Sequence, residues 1–271
     1  MKRSMNICSY LLQGINENQR KTNIMNNTIY HKILKIKESG KKLFALLIDP
    51  DKSNRKQAAQ LALKAQNCKV DLIFVGSSLL TNGSIQNCIT SIKENCSVPV
   101  VLFPGNALQI NKSADAILFL SLISGRNPDL LIGNHVIAAP VLKESKLEVL
   151  PTGYMLIESG KLTTAVYMSN TVPIPSDKND IAAFTAYAGE LLGLKLIYMD
   201  GGSGALNAVP ASMISTVSST ISIPLIVGGG IKTPAKAAQC CKAGADIIVT
   251  GNAIEKDLTL IHKLCEAVHA V

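Results

Sequence analysis

The stretch Leu196-Ile-Tyr-Met-Asp-Gly-Gly-Ser-Gly-Ala205 begins as a short apolar run and breaks at once into glycines. Two later stretches repeat the pattern: Pro224-Leu-Ile-Val-Gly-Gly-Gly-Ile231 and Ile247-Ile-Val-Thr-Gly-Asn252. Short apolar runs of this kind are typical of strands that are buried in a parallel sheet. Glycines after such strands leave backbone N–H groups open to an anion, and a following helix adds its positive N-terminal end. The pattern predicts a phosphate-binding cup; the alternative is that the glycines only permit tight turns.

The composition favours an α/β fold. Hydrophobic residues make up 47% of the 271 residues and aromatic residues only 4%, with no Trp. The core must therefore be built from Ile, Leu, Val and Ala, which fill buried parallel strands more often than β-sandwiches. The length suits one large α/β domain or two small ones, and a single domain of this size can bury roughly 70–75% of its unfolded surface.

The formal net charge of +8 attracts anions in general: nucleic acid, an acidic lipid surface or a phosphorylated small molecule. Part of this charge precedes the first predicted strand, between Lys2 and Lys42. We interpret it as a solvated surface and expect no nucleic-acid partner, because the charges do not alternate with stacking aromatic residues.

Cysteine usage and hydropathy indicate a soluble cytoplasmic protein. The seven cysteines are scattered and form no C-x-x-C pair, which fits a reducing compartment. No apolar run approaches the ~18 residues that a membrane-spanning helix needs. The run from Ile7 to Ile15 is interrupted by polar residues and makes a poor signal sequence. Any membrane contact is therefore expected to be peripheral.

Residues 1–26 are polar, rich in Asn and aperiodic, which predicts a loosely attached N-terminal extension before a catalytic domain at residues 27–271. Apolar residues from Thr28 onwards predict a helix that ends at Gly40 and covers the bottom of the domain. The apolar runs that follow alternate with helical patterns and lie at 43–48, 70–75, 99–103, 116–120, 147–157, 195–200, 224–227 and 246–250.

Strict alternation of strands and helices predicts a single (β/α)₈ TIM barrel, with a doubly wound sheet as the alternative. Only about ten residues, 106–115, separate the third run from the fourth, which is short for a complete crossover helix. One helix of the regular repeat is therefore expected to be missing or unwound.

In TIM barrels a phosphate commonly rests on the loops after strands seven and eight, where Gly228-Gly-Gly230 and Gly251-Asn252 stand. Asp49, after strand one, and Ser78, after strand two, offer oxygen ligands to the same mouth. Few oxygen ligands, completed by water and substrate phosphates, suit Mg²⁺. A turn-opening role for Asp49 before Pro50 remains an alternative.

Asp200 follows Tyr198 by two positions on strand six, so both side chains are predicted to project from the same face. A carboxylate there could accept a proton from an alcohol. The competing interpretation is a structural aspartate that accepts hydrogen bonds from loop N–H groups. Tyr154 on strand five is a weaker candidate, and the four histidines belong to no recognisable motif.

Taken in order, a set of segments from about residue 28 to the end resembles geranylgeranylglyceryl phosphate synthase, in the group related to the bacterial heptaprenylglyceryl phosphate synthases. The segments are Leu47-Ile-Asp-Pro-Asp-Lys52, Val75-Gly-Ser-Ser78, Gly153-Tyr154, Tyr198-Met-Asp-Gly-Gly-Ser-Gly204, Val227-Gly-Gly-Gly-Ile231 and Thr250-Gly-Asn252. The resemblance implies a barrel whose third helix is replaced by an extended segment. It also implies Mg²⁺-dependent transfer of a polyprenyl group, foremost geranylgeranyl, from its diphosphate to the sn-3 hydroxyl of sn-glycerol 1-phosphate.

Carried over by position, the resemblance implies that Asp49 and Ser78 bind the metal and that Asp200 and Tyr154 are catalytic, with Asp200 as the general base. The implied glycerol 1-phosphate site consists of Tyr198, Met199, Asp200, Gly201, Gly202, Ser203, Gly204, Gly229, Gly230, Gly251 and Asn252. Because barrels of this kind often associate, a homo-oligomer is expected.

The chain departs from the family pattern at two positions. Many members have a lysine where this chain has Leu47, so Lys52 is a candidate to meet the substrate charge instead; many also have glutamate in place of Asp200. Two other functions remain as alternatives. A phosphosugar isomerase or aldolase-like barrel would share the cup, although Lys195 is predicted to point away from the mouth. A non-catalytic phosphate- or lipid-binding protein could also have kept the cup.

Overall fold

The computed structural model describes residues 28–271, so the predicted extension at residues 1–26 lies outside the described residues. Eight parallel strands follow one another around a closed barrel, in which β1 pairs with both β2 and β8. This closure confirms the predicted (β/α)₈ barrel over the doubly wound sheet. The strands are β1 (Leu43–Ile48), β2 (Leu72–Val75), β3 (Val100–Leu102), β4 (Ala116–Leu122), β5 (Glu148–Leu156), β6 (Leu196–Asp200), β7 (Leu225–Gly228) and β8 (Ile247–Thr250).

Helices surround the barrel except after β3, where the chain forms only a short 3₁₀ turn at Ala107–Gln109. The interval that was too short for a crossover helix therefore lacks one, as predicted. The helices are α1 (Ile29–Glu38), α2 (Arg55–Asn67), α3 (Ile85–Asn95), α4 (Asn134–Glu144), α5 (Thr164–Ser169), α6 (Asn179–Leu191), α7 (Ala211–Thr220), α8 (Pro234–Lys242), α9 (Asn252–Lys256) and α10 (Leu260–His269). A π-helical turn at Asp129–Gly133 leads into α4.

Local hydrogen bonds delay or interrupt two helices. The helix α7 begins only at Ala211, because the Ser159 carbonyl accepts the N–H groups of Leu206 and Asn207 and holds them in a loop. The helical segment after β8 is divided into α9 and α10. The Asp257 carboxylate accepts the Thr259 N–H between them, a local hydrogen bond that favours a turn over a continuous helix.

The barrel interior is filled with apolar side chains, and α1 covers its lower end. Ile29 and Ile33 of α1 are buried in the same cluster as Leu43, Leu72 and other inward-facing strand residues. The Glu148 carboxylate accepts the N–H groups of Ile29, at 2.6 Å, and Tyr30, at 2.9 Å, which fixes the start of the helix. The lower end of the barrel is therefore packed against α1.

A second apolar layer lies between the strands and the surrounding helices. Because side chains alternate along a strand, Ile197 and Met199 of β6 belong to this outer layer while Tyr198 belongs to the interior. Among residues 28–271, no helix has both the length and the apolar character that crossing a bilayer requires.

The C-terminal helix α10 is fixed to the lower rim by an ion pair. His269 Nε2 lies 2.7 Å from Asp71 Oδ2, the oxygen that also accepts the Phe44 N–H at 2.8 Å. Hydrogen bonds to Asp71 and Cys265 raise the pKa of His269 from 6.5 to about 10. The charged imidazolium thus stabilises the folded state.

We predict that His269→Gln destabilises the protein by about 1 kcal/mol near pH 6 and by less as the pH rises. The folded pKa lies above the unfolded one, so the contribution is complete below pH 6.5 and disappears as the pH approaches 10. Urea unfolding of both proteins at pH 6 and pH 10 measures this. His262→Gln, on the exposed face of α10, is the control. A His269→Gln effect that grows with pH would contradict the assignment.

Candidate active site

A cavity of about 1370 Å³ opens at the carboxyl ends of the strands. Side chains or backbone from the ends of β1, β2, β5, β6, β7 and β8 line its mouth, and mostly apolar residues around β4, α4 and the 3₁₀ turn line another part, which we call the apolar branch. Of the predicted site residues, those that line it are Asp49, Ser78, Tyr154, Tyr198, Asp200, Gly202, Ser203, Gly204, Gly229, Gly230, Gly251 and Asn252.

Met199 and Gly201 are the predicted binding residues that do not line the cavity. Met199 points outward, where it is fully buried against the helices, because it alternates with Tyr198 and Asp200. The Gly201 N–H continues the strand ladder by donating to the Gly228 carbonyl at 3.1 Å. The resemblance spans a contiguous segment, but strand geometry separates its members.

Glycines form the wall of the cavity at the ends of β6 and β7. Gly229 has φ +78°, and a methyl group there would lie 2.6 Å from Gly201 N and 2.7 Å from Asp200 Oδ1. The backbones of the two loops therefore touch at a distance that only glycine allows. On the β8 side, Asn252 Nδ2 donates to Ser203 Oγ at 3.1 Å and joins the third loop to the first. The three loops therefore meet at one side of the cavity, where the sequence predicts the phosphate-binding cup.

Asp200 stands beneath the cup as a buried carboxylate with two donors. Tyr154 Oη donates to its Oδ2 at 2.6 Å, and the Gly202 N–H donates to its Oδ1 at 2.7 Å. Burial raises the pKa of Asp200, and these hydrogen bonds partly oppose the rise. Asp200 thus accepts a hydrogen bond from a loop N–H group, which is the structural role that the sequence offered as one alternative. It is also a carboxyl group with a raised pKa beside the cavity.

Aromatic rings support the carboxylate from below. The ring of Tyr198 stacks on Phe103 with centroids 5.1 Å apart and meets Tyr154 edge-on at 5.5 Å. Burial and the neighbouring Asp200 carboxylate raise the pKa of Tyr154 and of Tyr198 well above the usual value. Both phenols therefore stay protonated, and Tyr154 remains a donor to Asp200.

The opposite side of the mouth carries Asp49. Its Oδ1 accepts the Asp51 N–H at 3.0 Å, while its Oδ2 lies 3.4 Å from Lys52 Nζ. Lys52 Nζ also lies 3.4 Å from Glu255 and donates to Asn252 Oδ1 at 3.0 Å, so it connects this side of the mouth with the cup. Sequence reasoning found Lys52 but not Glu255, which has no motif.

Asp51 has a different role from Asp49 although both flank Pro50. Its two oxygens accept hydrogen bonds from Thr81, Asn82 and Gly83, so they hold the loop after β2. These bonds lower the pKa of Asp51 although desolvation opposes them. Its oxygens are therefore committed to this loop.

The side branch of the cavity is apolar and lies where the third helix is missing. It is lined by Ala107, Ile110, Ile117, Leu118, Phe119, Leu120, Leu122, Leu130 and Ala138. His135 also lines it, with its ring edge-on to Phe119 at 4.5 Å and Nε2 3.0 Å from Ser121 Oγ. Burial lowers the pKa of His135, so a neutral ring faces the branch. No sequence motif marks this histidine, and it reaches the cavity through its place in α4.

Comparison with known proteins gives consistent matches. The model of the PcrB family matches residues 32–270. The chain is 55% identical over 246 residues to geranylgeranylglyceryl phosphate synthase of Chitinophaga pinensis, covering 91% of this chain and 98% of that protein. It is 44% identical to the enzyme of the same name from Pyrococcus abyssi, covering 80% of this chain and 86% of the relative.

A solved structure agrees with these sequence matches. It is the crystal structure of (S)-3-O-geranylgeranylglyceryl phosphate synthase from Thermoplasma acidophilum in complex with sn-glycerol-1-phosphate. It superposes with a TM-score of 0.84 at 32% identity and covers 90% of this chain and 99% of its own.

We predict that Gly229→Ala abolishes phosphate binding at the cup. The added methyl group collides with the Asp200 loop, and its φ of +78° also disfavours alanine. Gly193→Ala is the matched control, because Gly193 has φ +87° but nothing lies within 4 Å of an added methyl group. Backbone strain should lower the free energy of unfolding of both variants by about 1 kcal/mol. Gly229→Ala should lose more, because its methyl group also collides with the Asp200 loop.

The measurement is the rise in unfolding temperature with increasing inorganic phosphate. Wild type and Gly193→Ala should both show the rise, and Gly229→Ala should not. A normal phosphate response in Gly229→Ala would mean that the anion does not bind at these glycines.

Proposed function

The chain belongs to the PcrB family, and from that membership we infer that it is a prenyltransferase. It transfers a polyprenyl group, foremost geranylgeranyl, from its diphosphate to the sn-3 hydroxyl of sn-glycerol 1-phosphate and releases diphosphate. The observation that carries this proposal is the single cavity in which a glycine cup, the Asp200 carboxyl group and an apolar branch meet. The relatives that bear the name geranylgeranylglyceryl phosphate synthase support it.

We propose that the cup holds the phosphate of sn-glycerol 1-phosphate. Backbone N–H groups at the ends of β6, β7 and β8 supply the hydrogen-bond donors. Those at the start of α9, at Asn252, point toward the bound anion as well. Binding the phosphate there leaves the glycerol chain to extend downward, toward Asp200. The related enzyme from Thermoplasma acidophilum, solved with sn-glycerol-1-phosphate, supports this substrate.

In the proposed reaction Asp200 is the general base. The glycerol oxygen forms a bond to C1 of the prenyl chain, its proton passes to Asp200, and the bond from C1 to the diphosphate oxygen breaks with its electrons on the leaving group. A base that works near neutral pH benefits from the raised pKa that burial produces. Tyr154 and the Gly202 N–H hold the carboxylate in one orientation.

The apolar branch is proposed to hold the polyprenyl tail. Its lining comes from β4, α4 and the 3₁₀ turn at Ala107–Gln109, which occupies the place of a helix. An apolar tail gains roughly 25 cal/mol for each Å² that leaves water, so a branch without charged groups favours such a donor. In this proposal, the absence of a helix after β3 makes room for the polyprenyl tail.

We propose that Asp49 and Ser78 hold Mg²⁺ together with the diphosphate. Asp49 lines the cavity mouth and its Oδ2 lies 3.4 Å from Lys52 Nζ, whereas both oxygens of Asp51 accept hydrogen bonds from the loop after β2. No group of three or more His, Cys, Asp or Glu side chains suited to a metal occurs in residues 28–271. This donor set fits an ion that is completed by water and substrate phosphates. When bound, Mg²⁺ neutralises charge on the leaving diphosphate.

The remaining expectations belong to the same proposal. A cytoplasmic enzyme that makes an amphiphilic product would contact the membrane peripherally, and we expect copies of the chain to associate. Exposed apolar residues along α4, such as Val136 and Ile137, are consistent with such contacts. Light scattering over a range of protein concentrations tests the association.

The predicted activity is formation of an organic-soluble prenyl ether from sn-glycerol 1-phosphate, geranylgeranyl diphosphate and Mg²⁺, with one diphosphate released per product. EDTA should reduce the rate to background, and sn-glycerol 3-phosphate is the stereochemical control.

Binding of both substrates without product would favour the non-catalytic alternative. No product from prenyl diphosphates of any length, with rearrangement of a phosphosugar, would favour the isomerase or aldolase-like alternative. Lys195 does not support the isomerase or aldolase-like alternative, since its Nζ lies over the Tyr30 ring at the lower end of the barrel.

We predict that Asp200→Asn lowers kcat about 10²–10⁴-fold while sn-glycerol 1-phosphate still binds, because an amide cannot take the proton. The acid limb of kcat/KM should follow Asp200, with activity lost as the pH falls through its pKa. Tyr154→Phe removes a hydrogen bond that lowers this pKa, so the limb should move to higher pH. Tyr167→Phe, on an exposed tyrosine, is the control. An unchanged limb in Tyr154→Phe would remove Asp200 from the role of base.

A further inference from the structure

The loop between β5 and α5, residues 158–163, packs directly on the glycine loop that follows β6. The Ser159 carbonyl accepts the N–H groups of Leu206 and Asn207 at 3.2 and 3.0 Å. A methyl group on Gly202 would collide with Thr163 Oγ1, and Thr163 is only 3% exposed. The β5 loop is therefore a fixed neighbour of the cup, although neither the motifs nor the resemblance included it.

Lys161 is carried to the cup by this loop. A methyl group at Gly204 would lie 3.3 Å from Lys161 Nζ and 3.9 Å from Asn252 Nδ2, so the ammonium stands over the backbone of the cup. Within residues 28–271, Lys161 makes no hydrogen bond or ion pair with another side chain or backbone group. It is a positive charge beside an anion site without a counter-charge.

The other lysines at the cavity are arranged differently. Lys52 is shared among Asp49, Glu255 and Asn252, and Lys232 Nζ donates to the Leu206 carbonyl at 3.1 Å. Lys256 also lines the cavity, at the end of the short helix α9. Of these, Lys161 is the one whose Nζ lies against the glycine backbone without a partner.

Backbone N–H groups offer partial charges only, whereas a phosphate monoester near neutral pH carries close to two negative charges. A full positive charge at the rim would neutralise more of the negative charge of the phosphate. A charge-assisted hydrogen bond is also roughly twice as strong as a neutral one. From these contacts we propose that Lys161 binds the phosphate of the substrate directly and sets the preference of the cup for a dianion. This inference rests on the proposed function, which supplies the phosphate ester.

Direct binding has a consequence for specificity. The neutral part of the cup recognises phosphate shape, while Lys161 discriminates by charge. Loss of the charge should therefore weaken phosphate binding and its dependence on salt, and should leave the chemical step at Asp200 unaffected. The KM for sn-glycerol 1-phosphate should rise with little change in kcat.

The test is calorimetric titration of the full chain with sn-glycerol 1-phosphate at low and high NaCl. Lys161→Met should bind about tenfold or more weakly and lose part of the salt dependence, and Lys161→Arg should retain most of the affinity. Lys256→Met is the matched control, because it removes the same charge from the same cavity at the end of α9, whereas the cup uses the start of α9 at Asn252. It should stay within about twofold of wild type, since salt screens exposed charges that do not touch the anion.

The outcomes separate the two levels of the proposal. Normal affinity in Lys161→Met, or an equal loss in Lys161→Met and Lys256→Met, overturns the direct role of Lys161 and leaves the prenyltransferase proposal intact. No binding of sn-glycerol 1-phosphate by wild type overturns both. Because Lys161 is exposed, the variant is expected to fold, and its unfolding temperature checks this.

Discussion

The site depends on one constraint, which is that eight parallel strands close with all their carboxyl ends at one rim. The interior below is filled with apolar side chains and α1 packs on the other end, while the large cavity opens at the rim. Asp49, Asp200 and Gly229 are far apart in sequence, yet each follows or ends a strand and therefore reaches the same cavity. The strand register fixes them further, since Asp200 pairs with Leu156 on one side and Gly228 on the other. A site built on strand ends inherits the rigidity of the barrel.

Much of the fold could be predicted because its signals are local. Apolar runs that end in glycine mark buried strands, and their alternation with helical patterns marks the barrel. The period of two along a strand correctly put Tyr198 and Asp200 on one face. The same rule turns Met199 outward, away from the cavity that Tyr198 and Asp200 line. Local patterns thus decide orientation more reliably than membership in a motif.

Interactions across the barrel could not be predicted in this way. The hydrogen bond from Tyr154 to Asp200 exists because β5 and β6 pair with Tyr154 opposite Tyr198, and register is not encoded in either strand alone. Asp49 and Asp51 look equivalent in sequence, but only Asp51 meets the loop at Thr81–Gly83. His135 reaches the apolar branch only because the helix after β3 is absent. Each case depends on an element that is remote in sequence.

The positions of the positive charges bear on the proton affinity of Asp200, the proposed base. Leu47 lines the cavity near the end of β1, so that strand presents an apolar side chain there and no cation. A lysine near Asp200 in the buried interior would pair with it and lower its pKa. The lysines that line the cavity instead come from loops and from the end of α9, and of these Lys52 and Lys232 are already engaged.

Asp200 is consequently balanced between burial, which raises its proton affinity, and the hydrogen bonds from Tyr154 and Gly202, which lower it. Within residues 28–271, the hydrogen-bond donors to Asp200 are Tyr154 and the Gly202 N–H, and no lysine or arginine pairs with it. Cations at the rim would therefore attract the proposed substrate phosphate without entering this balance.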